Sequence, residues 1–142
     1  MDKVSRLDMC NCFAARQAAR HITKLYERYL AVVSLTSTQF SLLGLLFERS
    51  GMTMNELAET LVMDRTSLVR AIKPMQQHGW LTTEPAAKDT RKLVLSLTDA
   101  GRRKVEEALP LWEKAQQEFE NKVGSQSAER WRRDFHDLTR IG

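Results

Sequence analysis

Two short amphipathic segments, 53-TMNELAETL-61 and 64-DRTSLVRAIKPMQQHGWL-81, are separated only by Val62 and Met63. A connection this short forces two helices to cross as a helix-turn-helix. The local chemistry agrees. Thr53 and Glu56 have capping-box spacing, which satisfies N–H groups left without partners at a helix start. Asp64 stands where a cap is needed for the second helix. Leu57, Ala58 and Leu61 share one face, and the small Ala58 suits a close crossing. After Gly79 the apolar period changes from helical to alternating. The segments 80-WLTTEP-85 and 92-KLVLSL-97 read as strands, with Leu93, Leu95 and Leu97 set against Val94 and Ser96. Between them AAKDTR is too long for a tight turn, so the expectation is a β-hairpin with a basic tip.

The flanks read as longer helices. Residues 9–30 carry Phe13, Ala18, Ile22, Leu25, Tyr26 and Tyr29 at three- and four-residue steps. Residues 36–51 begin with a Thr36/Gln39 capping box, bury Phe40, Leu43, Leu46 and Phe47, and reach a stop at Gly51. Thr98 caps a helix over 99–123 with Val105, Ala108, Leu109, Trp112, Ala115, Phe119 and Val123 in one stripe. Gly124 and Ser125 interrupt it before a last helix, about 126–140, with Ala128, Trp131, Phe135 and Leu138. The predicted order is α-α-α-α-β-β-α-α. This is a mainly α fold with a small β-hairpin wing, a winged helix-turn-helix dimerised through its N- and C-terminal helices. Three regions follow: an N-terminal dimerisation helix (1–35), a winged helix-turn-helix DNA-binding region (36–98) and C-terminal dimerisation helices (99–142). The aromatic stripe of Trp112, Phe119, Trp131 and Phe135 must be covered. Either the terminal helices cover each other, or they cover those of a second subunit. The second reading also supplies the two-fold symmetry that helix-turn-helix DNA readers use.

Charge narrows the partner. The chain carries a net charge of +4, but between Asp64 and Lys104 nine lysines and arginines face four acids, a local excess of five. Such a patch suits a polyanion. No apolar run approaches the roughly 18 residues of a membrane span. The first residues, MDKVSRLDMCNCF, lack an apolar signal-peptide core. The expectation is a soluble cytoplasmic protein with no membrane partner. Two cysteines are too few for a secreted disulfide framework. The motifs G-x-x-x-x-G-K-[ST], G-x-G-x-x-G and G-x-S-x-G do not occur, and His21, His78 and His136 lack ligand spacing. No enzyme, metal or cofactor is expected.

The texts TSTQFSLLGLLFE, NELAETLVMDRTSLVRAIKPMQQHGWL, KDTRKLVLSLTDAGR and ALPLWEKAQ occur in order over most of residues 36–116. Together they resemble the multiple antibiotic resistance regulator (MarR) family. The resemblance implies a homodimeric transcription regulator, usually a repressor, that binds double-stranded DNA at a pseudo-palindromic operator. It places the 65–78 helix in the major groove and the arginine of Asp89-Thr90-Arg91 in the minor groove. The candidate DNA-binding residues are Arg65, Thr66, Ser67, Arg70, Lys73, Lys88, Asp89 and Arg91, with Asp89 orienting an arginine. Pro74 lacks the N–H that would bond back to Arg70, which costs about 3 kcal/mol in a helix interior. A bend there would let Met75 and Trp80 dock while Arg65 to Lys73 follow the groove.

The family's effector pocket lies between the dimerisation helices and the DNA-binding lobe. Here that implies Arg16, Arg20, His21, Phe40, Leu43, Phe47 and Trp112, a set that suits an aromatic carboxylate or phenol. Cys10 and Cys12 are the candidate redox residues. On one helix they point about 200° apart and cannot share a metal; only a helix starting beyond them would allow it. CFA at 12–14 resembles the reactive-cysteine helix of organic-hydroperoxide-sensing members, although the second helix offers Ser37 and Phe40 where those members carry tyrosines. Three functions follow: a ligand-released repressor, a cysteine-based oxidant-sensing repressor, or a helical interaction module whose basic wing meets an acidic protein.

Overall fold

A computed structural model describes residues 5–140. Helix α1 (Asn11–Leu30) leads through a 3-10 turn (Ala31–Val33) to α2 (Ser37–Glu48). A two-residue strand β1 (Met52–Thr53) precedes α3 (Met54–Leu61) and α4 (Arg65–Gln77). Strands β2 (Leu81–Pro85) and β3 (Leu93–Leu97) form the wing, followed by α5 (Asp99–Val123) and α6 (Ser125–Thr139).

The caps act largely as their residue types dictate. At Thr36 both halves of the capping box form: Thr36 Oγ1 accepts from the Gln39 N–H (3.1 Å) and Gln39 Oε1 accepts from the Thr36 N–H (3.0 Å). Thr53 and Thr98 accept from the N–H groups of Glu56 and Gly101. The return bond from the Glu56 side chain is not among those of the described residues. Helix α1 starts at Asn11, two residues later than its apolar pattern suggests, because Cys10 is extended and serves as the cap.

Two elements lie outside the sequence expectation, the 3-10 turn and strand β1. Strand β1 makes the hairpin a three-stranded antiparallel sheet in the order β1-β3-β2, with Met52 opposite Leu95 and Thr53 opposite Val94. Two residues are too few for an alternation to be visible. The β2–β3 register pairs Leu81 with Leu97 and Thr83 with Leu95. Consequently Leu95 is buried, whereas Leu93, at the wing end, is exposed.

The core lies where α2, α3, α4 and α5 meet the sheet. Leu42, Leu43, Leu57, Leu68, Met75 and Ala108 are completely inaccessible. The helix-turn-helix turn is closed by Val62, which holds a left-handed conformation (φ 54°, ψ 46°) while its N–H returns to the last turn of α3. That region is unfavourable for a β-branched residue, so the packing on both sides imposes it. Helix α4 runs unbroken through Pro74. Beyond it, the Trp80 N–H bonds the Met75 carbonyl (3.0 Å) and the Thr98 N–H bonds the Trp80 carbonyl (3.0 Å). Residue 101 must be glycine, because a β-carbon there would overlap the Trp80 carbonyl oxygen. This contact fixes the start of α5 against the end of α4.

Helix α1 is clasped to α5 by polar groups. Glu118 accepts from the Tyr29 hydroxyl (2.9 Å) and from Arg28 Nη2 (2.8 Å), and Tyr26 donates to Gln116. Helix α6 contributes only Ala128 to the buried set and leaves Trp131, Phe135 and Leu138 exposed. Among the described residues no single helix is long and apolar enough to cross a membrane; α1 with its 3-10 turn and α2 reach that length only as a pair bent by 73°.

Candidate functional site

The exposed face of α4 is the complement of its buried one. Leu68, Ile72 and Met75 point into the core. Arg65, Thr66, Arg70 and Lys73 are therefore turned to solvent. Asp64 organises the helix start. Its carboxylate accepts from the Ser67 N–H and from the Ser67 hydroxyl, both at 2.8 Å, and these bonds hold its pKa below the ordinary value. Arg65 is steadied across the turn, with Nη1 donating to Asn55 Oδ1 (3.1 Å). Arg65, Arg70, Lys73 and Lys88 form no ion pair with any described residue. Their charge is free for an external anion.

Two further residues join this face. Val69 is 48% exposed beside Arg65 and Arg70, and an apolar group there can meet a thymine methyl in a major groove. Its helical position, one turn after Arg65, is the signal that identifies it. Asn55 has no such signal, because its role depends on how α3 crosses α4.

The wing loop is folded around Asp89. Its Oδ1 accepts from the Arg91 N–H (3.1 Å) and from Arg91 Nε (3.2 Å), and the guanidinium keeps the carboxyl below its usual pKa. The Lys92 N–H bonds the Asp89 carbonyl and the Ala86 N–H bonds the Lys92 carbonyl, closing the loop. Arg91 is 89% exposed while its Nε is held. A cationic fork is thus presented from an ordered tip, with Lys88 exposed beside it.

A cavity of about 780 Å³ lies between α1, α2 and α5 and is touched by α3 and α6. Phe40 and Trp112 stack across it (centroids 6.3 Å apart), and Phe47 closes one side beneath Arg102, whose guanidinium lies 5.5 Å from the ring centroid. Of the sequence-chosen pocket residues, Phe40, Phe47 and Trp112 line this space. Leu43 does not, because it faces the opposite side of α2 and is wholly buried in the core. Arg16, Arg20 and His21 do not line it either. They are exposed on the N-terminal half of α1, whereas the cavity uses Ile22, Thr23, Tyr26 and Leu30. Glu48 and His136 line it instead. Burial raises the Tyr26 hydroxyl above its usual pKa, as does nearby Glu120.

Cys10 Sγ accepts from the Phe13 N–H (3.4 Å), and Cys12 is exposed in the first helical turn. The helix begins between them, so they do not share one helical face. No group of three or more His, Cys, Asp or Glu suited to a metal ion occurs among the described residues. His78 stacks on Trp80 (4.5 Å), with Lys104 Nζ 5.4 Å from the same indole.

The MarR family model matches residues 35–93, the segment from the end of the 3-10 turn to the start of β3. The organic hydroperoxide resistance transcriptional regulator of Bacillus subtilis (strain 168) is 32% identical over 90 residues, covering 63% of this chain and 61% of that protein. Across the curated relatives the matched stretch spans 52% to 62% of their lengths. Among solved structures, the M. tuberculosis transcriptional regulator MosR in complex with DNA is 36% identical, with a TM-score of 0.79 over 92% of this chain and 93% of that one. The transcriptional repressor CouR bound to a 23-mer DNA duplex shares the fold at a TM-score of 0.84 over 99% of both chains, at 24% identity.

Proposed function

Because this chain belongs to the MarR family, we propose that it is a DNA-binding transcription regulator. In this reading it is a homodimeric repressor on a pseudo-palindromic operator, released when a small molecule enters the α1/α2/α5 cavity. The observation that carries the reading is the pairing of two exposed cationic elements. Helix α4 turns unpaired Arg70 and Lys73 to solvent, and the wing presents Arg91 from a tip ordered by Asp89. Arg70 lies within reach of base edges from a helix in the major groove. Arg91 suits a narrow minor groove, where the negative potential is enhanced. Ligand release requires that the cavity bind more tightly in one dimer conformation than in the other.

The test is selection of bound duplexes from a random pool, followed by affinity measurements over a range of salt. Counterion release by several phosphate contacts gives a steep salt slope. Arg70→Ala and Arg91→Ala each weaken operator binding about tenfold and leave the unfolding curve unchanged. An interaction module with an acidic protein partner would instead show weak, sequence-independent duplex binding, and both variants would match the parent on the selected operator.

A second reading is cysteine-based oxidant sensing, favoured by Cys10 at the start of α1, where a helix attracts negative charge. A thiolate attacking a hydroperoxide forms a sulfenic acid and releases an alkoxide that takes up a proton. Peroxide treatment of the operator complex tests it. Release that disappears in Cys10→Ser supports the reading, and unaltered binding after treatment ends it.

A further inference from the structure

The charges around the cavity define its ligand more narrowly than its size does. A volume of about 780 Å³ falls within the range of small-molecule sites. Among the described residues its ionisable lining groups are Glu48, His136 and Tyr26; no lysine or arginine lines it. The Tyr26 phenol keeps its proton, which it donates to Gln116. Behind the wall, Glu27 Oε1 accepts from both the N–H (3.2 Å) and the hydroxyl (3.1 Å) of Ser37, a lining residue. Of the nearby arginines, Arg102 lies over the Phe47 ring and Arg132 lies 3.9 Å from the Glu120 carboxylate. Around the same space Phe40, Phe47, Trp112 and Tyr26 supply ring faces, which carry the negative part of the aromatic quadrupole.

We propose that this cavity takes a lipophilic organic cation, held by the Phe40 and Trp112 faces with Glu48, exposed at its rim, as its counter-charge. The inference rests on the proposal that the cavity is the effector site and changes the ligand expected there. A carboxylate would meet the Glu48 carboxylate at the exposed rim and would find no lysine or arginine on the walls, so it would gain repulsion and no such ion pair there. A quaternary or otherwise delocalised cation loses little hydration and gains attraction to several ring faces. The net charge of +4 favours anions at long range, so a preference for cations must come from the cavity itself.

Two ions of the same shape and opposite charge separate the alternatives. Tetraphenylphosphonium and tetraphenylborate are titrated into the protein by calorimetry in sodium buffer. Phosphonium binds at least about tenfold more tightly. Glu48→Gln narrows that ratio by weakening the phosphonium alone, and Trp112→Leu weakens it further. Both variants are first shown to unfold like the parent. Equal or tighter binding of the borate, or an unchanged ratio in Glu48→Gln, overturns the assignment. The titration is then repeated on the operator complex. Phosphonium that binds with this selectivity but leaves the duplex bound supports the cavity assignment and defeats the release mechanism. A protein that prefers the phosphonium but binds no selected duplex likewise keeps the cavity and defeats the regulator reading.

Discussion

The winged lobe and the terminal arms solve the burial problem differently. From α2 to β3 the chain buries a dense core that Val105 and Ala108 of α5 complete: Leu57, Leu68 and Met75 are at 0% exposure and Ile72 is at 2%. In the arms, α6 leaves Phe135 at 53% and Leu138 at 63%. Between α1 and α5, buried Leu25, Leu30 and Ala115 are joined by the contacts of Glu118 with Tyr29 and Arg28. The lobe is complete within one chain, whereas the arms present half of an apolar contact. A folded domain carries the exposed cationic surface, and in the homodimer proposed above a second copy covers the arms.

The strongest way to break this contrast is a truncation in the lobe core. Leu68→Ala removes a wholly buried side chain from the inner face of α4 and lowers stability by about 2–5 kcal/mol, read as a shift of the urea midpoint. A loss much below that range would mean that the lobe core is looser than its burial implies. The same kind of change in the arms acts on assembly instead. Phe135→Ser removes an aromatic worth about 2 kcal/mol when fully buried. The dimer dissociation constant therefore rises about 30-fold while the far-ultraviolet circular dichroism is unchanged. An undisturbed dimer would place the subunit contact elsewhere, and a collapse of the whole unfolding transition would merge the two regions into one.

A smaller effect of opposite sign tests how firmly the lobe imposes its own geometry. Val62 is 71% exposed yet held in the left-handed region. Asn tolerates that conformation, so Val62→Asn stabilises the protein by about 1 kcal/mol, seen as a higher thermal midpoint with operator affinity unchanged. A destabilised variant would show that the valine side chain contributes contacts outweighing its backbone strain.

The same division explains what the sequence revealed. In the lobe, periodicity and caps identify the three helices and the two wing strands, because each pattern is local and long enough to read. Strand β1 escapes because two residues carry no period, and Asn55 because its partner is set by a crossing angle. The solvent-facing residues of α4 are legible as the complement of a buried stripe, so Arg70 and Lys73 follow once Leu68 and Ile72 are inward. The cavity is legible only in part. Phe40, Phe47 and Trp112 sit on predicted apolar faces, but the rotation and axial position of α1 against α5 decide that Ile22 and Tyr26 line the space while Arg16, Arg20 and His21 do not. Glu48 and His136 enter from helix ends whose placement depends on packing between distant segments.

The smallest effect is also the one that separates the two regions by pH. Asp64 in the lobe is held below its ordinary value of 3.8 by the Ser67 N–H and hydroxyl, and Glu118 in the arms below 4.5 by the Tyr29 hydroxyl. In both cases the unfolded chain binds the proton more readily than the folded one, so stability rises with pH across the window. Each contribution is fully present above the unfolded value and is lost as pH falls through the lowered folded value. The arm clasp therefore begins to weaken near pH 4.5, before the α4 cap begins to weaken near pH 3.8. Because Asp64 is exposed and Glu118 only half-buried, the limbs are shallow. Urea midpoints measured against pH resolve them by substitution: Glu118→Gln flattens the limb that starts higher, and Asp64→Asn, which preserves a capping side chain, flattens the one that starts lower. If Glu118→Gln leaves the higher limb intact, the clasp between α1 and α5 contributes nothing measurable in solution. The arms would then depend on apolar cover alone, which would make the contrast with the lobe sharper still.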